Sequence, residues 1–297
     1  MKNLKEIYRK YWLGEAQSTL DLGKNIILCR LSGLIYSAKY RGELKKTKSY
    51  IEEKIKENKE KSVFLFANGP SLKDIDLGKI SRLKKENYEV IALNSFVSRS
   101  AETLKPDYVV FADKIHFGLK EAASDQYAKD MDWCIDNDVK VFLPAHYAHL
   151  INLPQKLPFN AFSEVYSKNT SDITKPLGYY PLTALYALSI AKALGYKKIL
   201  IAGFDNSYFK DFEVSQSSEV IINHKHYYDA EKDNTEVIQA NTPTSKVFFD
   251  FYRQFKFIEK ITGSCGLFEN VSKKTYISTI KRNHSLDIYK ETQVQLK

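Results

Sequence analysis

Between positions 208 and 229 the chain places Tyr208, His224, His226, Tyr227, Tyr228 and Asp229 in one polar, aromatic stretch. A histidine titrates close to neutrality and so can take a proton from a hydroxyl. Tyrosine hydroxyls can donate to an anion that forms as a bond breaks. His226 and His224 are therefore candidate general bases. His224-x-His226 could also ligate a metal, with Asp229 or Asp205 completing the set. That spacing is nonspecific, and no Asp-x-Asp stands at a strand end, so no metal is expected.

A second stretch has the composition of an anion cradle. Residues 63–72 read VFLFANGPSL, an apolar run stopped at once by Asn68, Gly69, Pro70 and Ser71. Such a run reads as a buried strand ending in a turn. Gly69 lacks a Cβ, so the backbone there can turn sharply or approach a ligand closely. Ser71 suits a helix N-cap, with a helix opening behind it. Strand, glycine turn and helix N-terminus together can hold a phosphate; the same residues also make an ordinary strand-to-helix turn.

These groups need elements to position them. Strands are expected over 63–67, 88–93, 108–112, 139–143, 198–202 and 267–271, with helices over 74–86, 125–136, 184–194 and 243–261 between or after them. Alternation of this kind implies a parallel sheet with helices on its faces. Ligands of such sheets bind at the carboxyl ends of the strands. Standing there are Asn68, Gly69 and Ser71, then Asn94 and Ser95, then Asp113. Thr183 falls at the start of an Ala-rich helix, where backbone N–H groups can hold a phosphate. Residues 144–175 are expected to be irregular, as a lid or acceptor-binding insertion, and 206–234 to form a long functional loop.

At 297 residues, 43% of them apolar, the chain suits one large or two small domains with a substantial core. Cys29, Cys134 and Cys265 are scattered and odd in number, which argues against a disulfide scaffold and fits a reducing cytoplasm. No signal peptide is expected, and no apolar run reaches the roughly 20 residues that cross a bilayer. The net charge of +9 is uneven: residues 1–62 hold 15 Lys/Arg against 8 Asp/Glu, and 268–297 hold 6 against 3. Residues 1–61 read as a basic helical N-terminal appendage, 62–272 as the main domain and 273–297 as a basic, partly ordered tail. Basic ends on a neutral body suit an anionic membrane surface or a solvated helical face. Nucleic acid is not expected, because the aromatics of the body follow the core pattern rather than a stacking groove.

Residues 67–72 (ANGPSL) with Lys-Asp-Ile-Asp behind them, the 183–199 segment ending ALGYKKI, Ala202-Gly203-Phe204-Asp205, and His226-Tyr227 followed by Asn234-Thr235 resemble, in this order, four motifs of the bacterial sialyltransferases of glycosyltransferase family 42. The resemblance covers about 63–272. It implies a modified Rossmann-like α/β fold of the GT-A-variant type with a lid over about 206–234. It further implies transfer of a sialic-acid-type sugar from a CMP-sugar, with inversion and without a metal or other cofactor. The acceptor would be a cell-surface glycan or glycolipid such as lipopolysaccharide, lipooligosaccharide or capsule. By matching positions, Asn68, Gly69, Ser71, Asn94, Asp113, Thr183, Asp205 and Tyr208 would surround the donor.

The departures from the family fall at the chemistry. The Arg-x-Thr-Ser-Gly before the central helix is replaced here by Tyr179-Tyr-Pro-Leu-Thr-Ala184. The stretch corresponding to the family's base histidine reads Asp229-Ala-Glu231 with one residue inserted, so Glu231, Asp229, His226 and His224 all stand as the base. The Gly-Pro-Ser-Leu and Pro-Asp-Tyr-Val-Val pieces also resemble a wider set that includes hydroxymethylpterin pyrophosphokinases and motility-associated glycosylation factors. The alternatives are accordingly a Mg-dependent pyrophosphokinase or a noncatalytic nucleotide-binding protein. The implied location is cytoplasmic, at the inner face of the membrane, and a homo-oligomer is compatible with all of these readings.

Overall fold

The structure is a computed structural model and describes residues 19–118, 125–162, 167, 169–177, 180, 182–223, 226–227, 235–238, 243–263 and 266–291. In chain order the regular elements are α1 (Thr19–Lys39), α2 (Arg41–Asn58), β1 (Ser62–Phe66), α3 (Leu77–Leu83), β2 (Tyr88–Leu93), α4 (Phe96–Ser100), β3 (Tyr108–Val110), α5 (Asp125–Asp136), β4 (Lys140–Pro144) and β5 (Lys156–Phe159). There follow α6 (Thr183–Ala193), β6 (Lys198–Ala202), β7 (Phe212–Val214), β8 (Val220–Asn223), β9 (Thr235–Ile238), α7 (Thr244–Thr262), β10 (Phe268–Asn270) and β11 (Lys281–Arg282).

Eight strands form one sheet in the order β11-β10-β6-β1-β2-β3-β4-β5, and every pairing in it is parallel. Parallel strands are buried on both faces, and β1 shows why its sequence is uniformly apolar: Val63 and Leu65 face one core, Phe64 and Phe66 the other. The first core is completed by α6 and α7, whose Leu185, Leu188, Phe257 and Ile258 are buried there. The second is covered by Leu72, Ile75, Ile80, Phe96 and, from the C-terminal region, Ile288. The expected α/β Rossmann-like sheet with helices on both faces is therefore present.

Strand order reverses between β1 and β6. From β1 the chain steps outward through β5, then returns across the sheet in α6 to lay β6 on the other side of β1. The chain leaves β1 along one face of the sheet, through Leu72 and Ile80, and leaves β6 along the other, through Phe204, which places a crevice at their carboxyl ends.

Several local expectations change. The helix after β1 does not start at Ser71: a short 3-10 turn spans Pro70–Asp74, and α3 begins behind Asp76, whose side chain caps Lys79 N at 3.1 Å. The 144–175 region is not irregular throughout. It contributes β5, whose Pro158 can sit there because β5 is the sheet edge, where a missing N–H is tolerated.

Residues 41–58 of the helical N-terminal part pack on the sheet domain. Leu44, Thr47, Ile51 and Asn58 of α2 are buried, Thr47 Oγ1 donates to Pro158 O at 2.8 Å, and Asn58 Nδ2 donates to Leu194 O at 3.0 Å. In the basic C-terminal stretch β11 pairs with β10, and Ile277, Ile280 and Ile288 are buried. Within 206–234 β7 and β8, with β9 just beyond, form a small antiparallel sheet that packs Val220 and Ile222 on Val247 and Phe251 of α7.

Candidate functional site

The crevice between β1 and β6 opens into a cleft of about 210 Å³ lined by seventeen residues from several chain segments. From β1 and its turn come Asn68 and Gly69; from the ends of β2 and β3, Asn94 and Asp113; from the start of α6, Leu182, Thr183 and Ala184. Gly203 to Tyr208 follow β6, and His226 closes the ring. Of the twelve residues offered as donor-binding or as the base, eight meet here: Asn68, Gly69, Asn94, Asp113, Thr183, Asp205, Tyr208 and His226. His224 and Glu231 lie outside the described residues, as does Asp229.

Ser71 stands just behind the cleft. Its backbone N donates to Asp205 Oδ2 at 2.8 Å, and its hydroxyl donates to Asp205 Oδ1. The pair ties the turn after β1 to the turn after β6. Burial pushes the Asp205 carboxyl above the usual range, the two Ser71 hydrogen bonds act against that, and Asp74 adds to it. Gly69 serves the same junction. A Cβ there would lie 2.5 Å from Gly203 O, and Gly69 N donates to that oxygen at 2.7 Å. The missing side chain thus admits a neighbouring backbone, and the cleft wall is formed by that close approach.

Two further kinds of group face the cleft. The first is the N-terminus of α6, where Leu182 occupies the cap position without a side-chain cap hydrogen bond. The leading N–H groups of that helix carry the positive end of its dipole. The second is a set of carboxamides. Asn68 Nδ2 donates to Leu93 O at 3.3 Å, while its Oδ1 is buried without a partner among the described residues. Asn94 Oδ1 is in the same position, and so are both Oδ1 and Nδ2 of Asn206. A buried carboxamide atom with no partner costs about 1–3 kcal/mol, so three such residues at the ends of β1, β2 and β6 are an expensive arrangement unless a ligand completes them.

Asn206 was missed in the sequence, where it reads as the first residue of a loop. It is 6% exposed, and its backbone is left-handed with φ 50°, as is that of Asn94 at 48°. Asparagine tolerates this region better than most residues. An Asn directly after a strand-ending Gly-Phe-Asp was the available signal.

His226 is held in place through its neighbour. Tyr227 N donates to Asn68 O at 3.0 Å, and the Tyr227 hydroxyl shares a 2.6 Å hydrogen bond with Ser100 Oγ. Burial raises that hydroxyl to about 12, so it stays protonated. Asp113 caps the short turn behind β3, accepting from Ile115 N at 3.2 Å, and is an exposed residue at the cleft rim.

The opposite end of the sheet carries a wider hollow of about 560 Å³ lined by Lys61, Lys84, Lys85, Glu86, Asn87, Tyr88, Glu89 and Asp107. Four of its charges are paired, Lys61 with Glu89 at 2.7 Å and Lys84 with Asp107 at 2.9 Å. The amino end thus carries ion pairs, whereas the carboxyl end presents carboxamide atoms without a partner among the described residues. Among the described residues no group of three or more His, Cys, Asp or Glu could hold a metal ion.

No protein-family model and no curated protein sequence matches the chain. Among solved structures it is similar to the MAf glycosyltransferase from Magnetospirillum magneticum AMB-1, with a TM-score of 0.46 and 12% identity over 76% of this chain and 34% of that one. The chain spans about a third of that protein's length.

Proposed function

We propose that the chain is a glycosyltransferase that holds a nucleotide sugar in the cleft at the carboxyl ends of β6, β1 and β2. The observation that carries this reading is the convergence in one cleft of Asn68, Gly69, Asn94, Asp113, Thr183, Asp205, Tyr208 and His226, residues far apart in sequence. The donor is a CMP-activated sugar of the sialic-acid type, and the acceptor is a cell-surface glycan or glycolipid. The reading rests on the motif resemblance for the donor and on the cleft for its placement.

In this reading His226 takes the proton of the acceptor hydroxyl as that oxygen attacks the anomeric carbon. The bond from that carbon to the phosphate oxygen breaks, and CMP leaves with the electron pair. The N–H groups at the start of α6 and the Tyr208 hydroxyl receive the charge on the phosphate. The amide oxygens of Asn68, Asn94 and Asn206 accept from the ribose hydroxyls and the cytosine amine. No metal is assigned a role, and His224 and Glu231 are the alternative bases.

A thermal-shift panel of CMP, CDP, UDP, GDP and ATP, each with and without Mg²⁺, tests the reading. A ligand at 100 times its dissociation constant adds about 2.7 kcal/mol. Stabilisation by CMP without metal is the expected result. Stabilisation only by ATP with Mg²⁺ would replace the reading with a pyrophosphokinase. Binding of CMP without turnover of any CMP-sugar would leave a noncatalytic nucleotide-binding protein.

A further inference from the structure

Helix α1 has two unlike faces. Cys29, Gly33 and Tyr36 turn inward: Cys29 is buried, a Cβ at Gly33 would lie 3.2 Å from the Phe162 ring, and the Tyr36 hydroxyl shares a 2.8 Å hydrogen bond with His146 Nδ1. Asn160 Nδ2 adds a 3.0 Å bond to Ser37 Oγ. The outward face carries Ile27, Leu28, Leu31, Leu34 and Ile35, each between 48% and 69% exposed. Their spacing of three and four residues makes them one continuous stripe. Large aliphatic side chains grouped in this way mark an interaction surface.

The charge around the stripe points to the occupant. Between residues 26 and 48 stand Arg30, Lys39, Arg41, Lys45, Lys46 and Lys48, against the single acid Glu43. All six basic residues are exposed. Pairing this face with itself across a two-fold axis would bring like charges together. The preceding segment cannot neutralise it either, since residues 1–18 hold Lys2, Lys5, Arg9 and Lys10 against Glu6 and Glu15. No described helix is long and apolar enough to cross a membrane. An apolar stripe flanked by Lys and Arg is the composition of a helix that lies in the plane of an anionic bilayer surface.

We propose that the outward face of α1 docks the protein on an anionic phospholipid surface, with Ile27, Leu28, Leu31, Leu34 and Ile35 inserted at the headgroup level. The inner face of α1 rests on His146, Asn160 and Phe162, which follow the carboxyl ends of β4 and β5. The candidate cleft opens at that same end of the sheet. Docking therefore sets the cleft's end of the molecule beside the lipid, where the glycan of a lipid-linked molecule is within reach. The inference rests on the surface of α1 and not on the donor reading.

The test is flotation of the full chain with vesicles of phosphatidylcholine alone and of phosphatidylcholine mixed with phosphatidylglycerol. The chain is expected to float with the mixed vesicles only and to be partly released by high salt. The combined Leu31→Ser, Leu34→Ser and Ile35→Ser variant should bind at least about tenfold more weakly, as should Lys45→Glu with Lys46→Glu. Both variants alter exposed side chains and should keep the wild-type circular dichroism. Wild-type protein that floats with neither vesicle would overturn the proposal, as would a serine variant that floats like wild type. A wild-type dimer made monomeric by the serine substitutions, with no flotation of either, would assign the stripe to a second copy instead.

Discussion

The carboxylate of Asp205 accepts two hydrogen bonds from Ser71, one from the backbone N and one from the hydroxyl, and so joins the two turns between which the candidate cleft opens. Ser71→Ala should leave one buried carboxylate oxygen without its donor and destabilise the protein by about 1–3 kcal/mol. The pH dependence has a definite sign. The folded-state pKa of Asp205 is raised, so its contribution is present below the ordinary value of 3.8 and is lost as pH rises through the folded value. Urea titrations should therefore show Asp205→Asn gaining on wild type as pH rises through that window.

Gly69 and Gly42 make a matched pair. A Cβ at Gly69 meets Gly203 O at 2.5 Å, whereas one at Gly42 meets nothing within 4 Å. Gly69→Ala should destabilise by about 1–3 kcal/mol because backbone must move. Gly42→Ala, near the start of α2, should be neutral or stabilising by a few tenths of a kcal/mol. Equal thermal midpoints for the two variants would contradict the described junction.

Asn68→Ala removes an Oδ1 that has no partner among the described residues, together with an Nδ2 that donates to Leu93 O, and Asn206→Ala removes an Oδ1 and an Nδ2 that both lack one. Each should weaken nucleotide binding by roughly tenfold, about 1.4 kcal/mol, as read by calorimetry. At Asn206 the relief of an unsatisfied buried amide is opposed by the strain of an alanine at φ 50°, so Asn206→Ala should change stability little. Unaltered affinity in both variants would detach the amides from the ligand.

His226→Ala should lower turnover by about 10²-fold or more if this histidine takes the acceptor proton. Tyr227→Phe tests its support: loss of the hydrogen bond to Ser100 should cost about 0.5–1.5 kcal/mol of stability and lower kcat more than it raises KM. Full activity of His226→Ala would pass the role to His224 or Glu231.

Acid should loosen the contact beneath α1. Burial lowers the His146 pKa from 6.5 to about 4, helped by the positive charge of Lys114 and by His149, and burial brings His116 to about 4 as well, against the pull of Asp113. Both groups bind protons more readily when unfolded, so stability falls as pH drops from 6.5 towards 4. His146→Gln should flatten the slope of the denaturation midpoint across that window.

Much of this protein was determined by local sequence. Strands over 88–93 and 198–202 and the helix Asp125–Asp136 were readable because short apolar runs bounded by Gly, Asn and Pro, and amphipathic runs without them, have few other solutions. Alternation of strands and helices set the parallel sheet, and a parallel sheet sets the end at which ligands bind. Six polar or glycine residues stand at those strand ends, and four of them, Asn68, Gly69, Asn94 and Asp113, line one cleft.

The tertiary structure decided what depends on partners distant in sequence. Ser71 reads as a cap, yet it bonds Asp205, 134 residues away. Gly69 reads as a ligand contact, yet it makes room for the backbone at Gly203. The basic residues after 272 read as a tail because charge density hides the few apolar positions, Ile277, Ile280 and Ile288, that bury themselves around the sheet. β5 is short and proline-containing, so only the free edge beyond β4 could make it a strand. Asn206 needed its φ of 50° and its burial before it could be placed in the cleft. Periodicity and turn chemistry are written along the chain; satisfaction of a buried polar atom is a property of the whole fold.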